Sequence, residues 1–316
     1  MLKLLISRPL PDRVMADAAA RFDMTCRGVT TPMDHAECVA ALKDYDLILP
    51  TLGDAFRADA FAAVPQPRAR LLANFGVGYN HIDVPAARAA GLAVTNTPGA
   101  VTDATADIAL TLILMTARRA GEGERMLRAG DWKGWHPTQM LGLHVSGKTV
   151  CIIGMGRIGQ AIARRCHFGF GSRIVYANRS PKSVDFPAEQ MALPAALAAA
   201  DIVVLATPGG ADTRHLMGAE AFAAMQPHAI FVNISRGDVV DEAALVAALQ
   251  GGRIAGAGLD VYEFEPAVPA ELVALENVTL LPHLGTAALE VREAMGRMAL
   301  ENCIALAEGR DLPNAV

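Results

Sequence analysis

Nowhere does this 316-residue sequence stay apolar for the roughly 18–20 residues that a membrane span requires. The longest candidate, around residues 108–116, is too short and reads as a buried helix. The first seven residues could be mistaken for a signal peptide, but their apolar core is short and Arg8-Pro9 interrupts it. A first β-strand is the better expectation. A basic excess is missing too. The net charge is −5, which gives no support for binding nucleic acid or anionic membrane. The five cysteines (Cys26, Cys38, Cys151, Cys166, Cys303) are scattered, with no CxxC and no metal-ligand spacing. Reduced thiols, no metal site and a cytoplasmic setting are therefore expected. No internal repeat stands out.

Core material is plentiful: 52% of residues are hydrophobic and 19% charged, and the length is comfortable for two domains. Short apolar stretches at 4–7, 47–50, 71–75 and 93–96 predict strands. Alanine-rich helical stretches at 14–21, 34–42 and 84–90 lie between them. A second set of predicted strands spans 149–153, 173–176, 202–206, 229–234 and 254–259, again with helices between. Such alternation predicts parallel sheets with helices on both faces, and strands this apolar are buried on both sides. Residues 102–130 read as one long helix or two, and 131–146 as loop. A last helix over 287–308 is expected to return to the first unit. The expected fold is α/β with two doubly wound domains, a Rossmann-like cofactor domain inserted in a flavodoxin-like substrate domain. The substrate (catalytic) domain is expected at 1–98 and 287–316, and the dinucleotide-binding domain at 99–286.

Gly154-Met155-Gly156-Arg157-Ile158-Gly159 lies between a predicted strand and a helix. A lone GxGxxG is weak, but this context suits a pyrophosphate at a helix N-terminus. NAD-specific sites place Asp or Glu at the end of the next strand. Here that position is Ala177, followed by Asn178-Arg179-Ser180 and Lys182. A missing carboxylate removes repulsion of a 2′-phosphate, and Arg179 offers it a planar fork with Ser180 adding a hydrogen bond. NADP(H) is preferred on this reading, with NAD(H) as the alternative if Arg179 and Lys182 are ordinary surface charges. Thr207-Pro208 would lie beside the adenosine half.

Arg236, Glu265 and His283 follow later strands of the same unit. Ligands of such sheets bind beyond the strands' carboxyl ends. Reduction of a 2-keto acid needs a cation for the carboxylate, a proton donor for the ketone and a group that tunes the donor. Arg236 supplies the first, His283 the second and Glu265 the third. Taken singly, each has a plainer explanation: a structural histidine, a phosphate or carboxylate partner at a helix start, a surface glutamate.

The whole chain resembles the D-isomer-specific 2-hydroxyacid dehydrogenases. The resemblance rests on the glycine fingerprint, on Asn233-Ile234-Ser235-Arg236-Gly237-Asp238-Val239-Val240-Asp241, on Gly258-Leu259-Asp260-Val261, on Glu265-Pro266 and on Pro282-His283-Leu284-Gly285. It implies that Arg236 binds substrate, that Glu265 and His283 form the acid–base pair, and that Asp260 holds the nicotinamide carboxamide. It also implies that Val77 and Gly78, in Asn74-Phe75-Gly76-Val77-Gly78, grip the substrate carboxylate through backbone N–H groups. Thr105, Arg157, Ile158, Ile234 and Gly285 complete the expected cofactor set.

Within the family, Asn178-Arg179-Ser180, the 102–107 segment and Gly130-Asp131-Trp132-x-x-Trp135-x-Pro137 look most like glyoxylate/hydroxypyruvate reductases. That likeness implies a homodimer through the helical arm, with Trp135 reaching the partner's active site or merely anchoring the arm. Cys151 departs from the family's frequent glycine. Three relatives fit less well. Phosphoglycerate dehydrogenases often carry a C-terminal regulatory domain beyond where this sequence ends. Formate dehydrogenases pair the histidine with glutamine instead of Glu265. An NAD(P)-sensing binding protein keeps the same trio but has extended tails. A dehydrogenase of a larger acid, such as 2-ketogluconate or phenylpyruvate, stays open.

Overall fold

In the computed structural model, which describes residues 1–316, the chain forms two compact units. The first comprises Met1–Val101 and Thr286–Val316, the second Thr102–Gly285.

The first unit runs β1 (Lys3–Ile6), α1 (Asp12–Ala19), β2 (Asp23–Cys26), α2 (His35–Asp44), β3 (Leu47–Leu49), α3 (Ala58–Ala62), β4 (Leu71–Ala73), α4 (Val84–Ala89) and β5 (Ala93–Thr95). Its five strands are all parallel, in the order β2-β1-β3-β4-β5. This is the flavodoxin-like order, with one switch point between β1 and β3. Sequence alone did not suggest β2. It is an edge strand, half-exposed, and its Asp-Met-Thr-Cys has no apolar run to mark it. Asp34 starts α2 through a capping box with Glu37: each side chain accepts the other residue's backbone N–H.

The second unit begins with α5 (Thr102–Ala117) and α6 (Ala120–Arg128). It continues through β6 (Thr149–Ile153), α7 (Arg157–Phe170), β7 (Arg173–Ala177), β8 (Ala188–Gln190), α8 (Leu193–Ala199), β9 (Ile202–Leu205) and α9 (Ala219–Ala224). Then come β10 (Ile230–Asn233), α10 (Glu242–Gln250), β11 (Gly256–Leu259), α11 (Ala270–Val273) and β12 (Val278–Leu280). Seven parallel strands lie in the order β12-β11-β10-β9-β6-β7-β8, the doubly wound Rossmann pattern with one extra strand. The exposed edge strand β8 also lacks an apolar signature in the sequence. Helix α5 lies directly on β11 because Gly258 has no side chain. A Cβ there would meet Thr116 Oγ1 at 2.8 Å and Leu112 Cβ at 3.0 Å.

The final helix, α12 (Leu289–Ala307), belongs to the first unit and packs on α1 and β4. Gly296 makes that approach close, since a Cβ would stand 2.6 Å from Val14 Cγ1. No helix is long and apolar enough to cross a membrane.

Register decides where chemistry can collect. Ile153 pairs with Leu205, Leu205 with Asn233, Asn233 with Leu259, and Leu259 with Leu280. Five strands therefore end in line. The segments that follow them, starting at Gly154, Ala206, Ile234, Asp260 and Leu281, emerge along one edge of the sheet.

Candidate active site

The glycine turn is shaped for a close-lying anion. Gly154 has φ +97°, and a Cβ there would meet the Ala206–Thr207 peptide at 2.8 Å. Gly159 lets α7 seat against the turn, since its Cβ would fall 2.2 Å from Gly154 O. Gly156 differs: a Cβ would meet nothing within 4 Å, so the space before the helix N-terminus is open. Arg157 is exposed there and Ile158 half-buried. With Thr207, whose backbone touches Gly154 and whose Oγ1 is buried without a partner, and the exposed Pro208 after it, these residues fit a dinucleotide.

Asn178 is a staple in this structure. Its Oδ1 accepts from Met155 N at 3.2 Å, and its Nδ2 donates to Ser180 O at 2.7 Å. It ties the glycine turn to the end of β7. Ala177 stands at that end with no carboxylate, and Ser180 is exposed. Arg179 is 92% exposed, and its only charged contact is Asp212 at 3.9 Å. Such a pair holds the guanidinium weakly.

His283 Nδ1 and Glu265 Oε2 are 2.8 Å apart. The other oxygen of Glu265, Oε1, accepts from Tyr262 N at 3.0 Å. Burial alone would push the Glu265 carboxyl upward in pKa. The His283 hydrogen bond and charge, the Tyr262 N–H and the charge of Arg236 outweigh it and hold Glu265 below the usual glutamate range. His283 itself sits at φ +55°, an uncommon conformation for a residue with a side chain. The backbone beyond it is pinned by Asp260, which is 1% exposed. Asp260 Oδ1 accepts from Leu284 N at 2.6 Å, and Oδ2 from Gly285 N at 2.8 Å. Burial raises the Asp260 pKa, against those two N–H groups and His283, with Glu265 adding to the rise. Thr105, buried near the start of α5, lies against Gly285.

Arg236 follows β10 and the buried Ile234. Its Nη1 donates to Ser235 O at 2.6 Å, while its Nε is buried without a partner. Burial pulls its pKa down, opposed by Glu265 and Asp238. A half-buried guanidinium whose Nε is buried without a partner suits an anionic ligand. Gly209 leaves it room: a Cβ there would meet Arg236 Cγ at 2.8 Å. The geometry thus gathers Arg236, Glu265, His283 and Asp260 in one electrostatic cluster of the second unit.

In the first unit, Val77 and Gly78 lie in the loop after β4. Asn74 Nδ2 donates to Gly76 O (3.0 Å) and Gly78 O (3.1 Å), and Asn96 Nδ2 donates to Val77 O (2.9 Å). All three carbonyls are therefore engaged. The sequence marked Asn74 only as part of a glycine-rich motif. Trp135 is 78% exposed in the loop that follows α6, away from any buried cluster.

Residues 110–285 match the family model of the D-isomer specific 2-hydroxyacid dehydrogenase NAD binding domain. The chain belongs to the D-isomer-specific 2-hydroxyacid dehydrogenase family. A glyoxylate reductase of Thermococcus onnurineus is 41% identical over 321 residues, covering 99% of this chain and 95% of the relative. A glycerate dehydrogenase of Hyphomicrobium methylovorum is 36% identical, covering 99% and 98%. Among solved structures, the NADPH-dependent glyoxylate/hydroxypyruvate reductase of Sinorhizobium meliloti, in complex with NADP and malonate, superposes with a TM-score of 0.89 at 36% identity. That match covers 100% of this chain and 96% of the other.

Proposed function

We propose that this protein is a cytoplasmic, homodimeric, NADPH-preferring reductase of small 2-keto acids such as glyoxylate and hydroxypyruvate, forming D-2-hydroxy acids where the product is chiral. The observation that carries this reading is the 2.8 Å His283–Glu265 pair within the field of Arg236. The relatives named above point to the same substrate class.

A bound nicotinamide supplies the hydride that adds to the keto carbon. Everything else falls to groups of the chain itself. Glu265 engages Nδ1 of His283, so Nε2 is the nitrogen left to donate a proton to the ketone oxygen. That contact also fixes the orientation of the ring. Arg236 offers its buried, unpartnered Nε and remaining fork to the substrate carboxylate and the polarised ketone oxygen. Asp260 anchors the Leu284–Gly285 backbone and stands ready for the carboxamide. Val77 and Gly78 would give backbone N–H groups to the carboxylate.

NADPH preference rests on Ala177 and Arg179. The exposed guanidinium of Arg179 is free to leave Asp212 for a 2′-phosphate. Arg179→Ala should raise KM for NADPH about tenfold, the scale of one charged hydrogen bond, and leave KM for NADH unchanged. Equal effects on both cofactors would remove Arg179 from the phosphate site. The dimer reading is supported by the apolar side chains exposed on α5 (Leu114), α6 (Leu127) and the loop that follows (Trp132, Trp135, Leu141). A kcat/KM panel of glyoxylate, hydroxypyruvate, pyruvate, phenylpyruvate and 2-ketogluconate, each with NADPH and NADH, tests the substrate class. Preference for phenylpyruvate or 2-ketogluconate would assign a larger acid.

A further inference from the structure

Glu242 has no place in the chemistry above, yet it is a glutamate only 6% exposed. It is the first residue of α10, next to the capping Asp241, and its side chain faces the 262–265 loop. Its Oε1 accepts from Glu263 N at 2.8 Å. Its Oε2 is buried with no partner. Gly237 packs on the same peptide, since a Cβ there would stand 1.8 Å from Tyr262 C. The Tyr262–Glu263 peptide is thus held by both residues. The next N–H back along the chain, that of Tyr262, is the one that holds Glu265 Oε1.

We propose that Glu242 is a positioning residue: by accepting the Glu263 N–H it fixes the Tyr262–Glu263 peptide, and through the Tyr262 N–H it sets Glu265 against His283. This rests on the acid–base assignment made above. A buried carboxylate with an idle oxygen costs stability, and such a cost is expected where a site demands it. Burial raises the Glu242 pKa, with the Glu263 N–H lowering it and Glu263 and Glu265 raising it further. Glu263 is clamped at its other end as well, its carboxylate lying 2.7 Å from His215 Nε2 and 3.3 Å from Arg214 Nη2.

Two effects of removing Glu242 have opposite signs. Loss of its negative charge would lower the Glu265 pKa. Loss of the clamp frees the Tyr262 N–H and would raise it. The other charged groups facing Glu265 are His283, Arg236 and Asp260, which neither variant alters. Glu242→Gln keeps an acceptor for Glu263 N and removes only the charge; Glu242→Ala removes both.

The test is a carbon-13 NMR titration of the Glu265 carboxyl in the free protein, assigned by its loss in Glu265→Gln. It is paired with steady-state glyoxylate kinetics below the melting temperature. Both variants lose the charge and only Glu242→Ala loses the clamp, so the Glu265 midpoint should lie higher in Glu242→Ala than in Glu242→Gln. In turnover, Glu242→Ala should lose about 10–100-fold in kcat, as expected of a misplaced catalytic group, with KM for NADPH unchanged. Glu242→Gln should keep kcat within about threefold, whatever either variant loses in Tm. A Glu265 midpoint in the alanine variant that is no higher than in the glutamine variant would overturn the proposal. So would equal kcat losses in both variants. If the wild type turns over no keto acid, the functional reading fails, and the NMR titration still decides the role of Glu242.

Discussion

Replacing His283 with alanine is expected to lower kcat for keto-acid reduction by about 10²–10⁴-fold, the range lost with a general acid. The loss should fall on kcat, because the imidazole acts when the ketone oxygen takes its proton. Dissociation constants for NADPH should change little, since His283 contacts Glu265 and not the glycine turn. The pH dependence has a definite sign. Reduction consumes a proton, so it should slow as pH rises, while the reverse oxidation should quicken. On the acid side, Glu265 has a depressed pKa and stays ionised below the usual glutamate range. The carboxylate that accepts from His283 is therefore kept as pH falls through ordinary glutamate values, and lost only below them. Initial rates of the wild type, His283→Ala and Glu265→Gln in both directions, from about pH 3.5 to 9, check this. Near-normal kcat in His283→Ala at neutral pH would remove the proton-donor role.

Arg236→Ala is expected to raise KM for the keto acid and to lower kcat by about 10²–10³-fold, the scale of one lost electrostatic stabiliser. Both parameters should move, because one guanidinium is asked to hold the carboxylate and to polarise the ketone. Arg236→Lys should recover only part of the loss: a single ammonium cannot reproduce the fork. Burial makes the effect large. The donor at Nε is already removed from water, so an anion that binds there replaces no hydration on the protein's side. Unchanged kinetics in Arg236→Ala would take the residue out of the site.

Much of this was legible in the sequence for identifiable reasons. Buried parallel strands are uniformly apolar, so β1, β6, β9 and β10 stood out, whereas the edge strands β2 and β8 carry polar residues and did not. The glycine turn was visible because Gly154 and Gly159 are forced by backbone contact. Arg236, Glu265 and His283 were visible because each ends up past a strand's carboxyl end in a composition that fits one reaction. Glu242 was not. An acidic residue in the first turn of a helix is common, and nothing local marks it as buried or as bound to a peptide 21 residues away. Asn178 stands in the expected cofactor set, and its amide also engages Met155 and Ser180, a contact between two segments that spacing cannot reveal. The same holds for Asn74 and Asn96 beneath the Val77–Gly78 loop.

The most direct test is steady-state oxidation of NADPH by the wild-type protein with hydroxypyruvate, followed by chiral analysis of the product. Sustained turnover is expected, with D-glycerate as the sole enantiomer and a higher kcat/KM than with NADH. Tight NADPH binding without sustained turnover would contradict a reductase and favour a cofactor-sensing protein of the same fold.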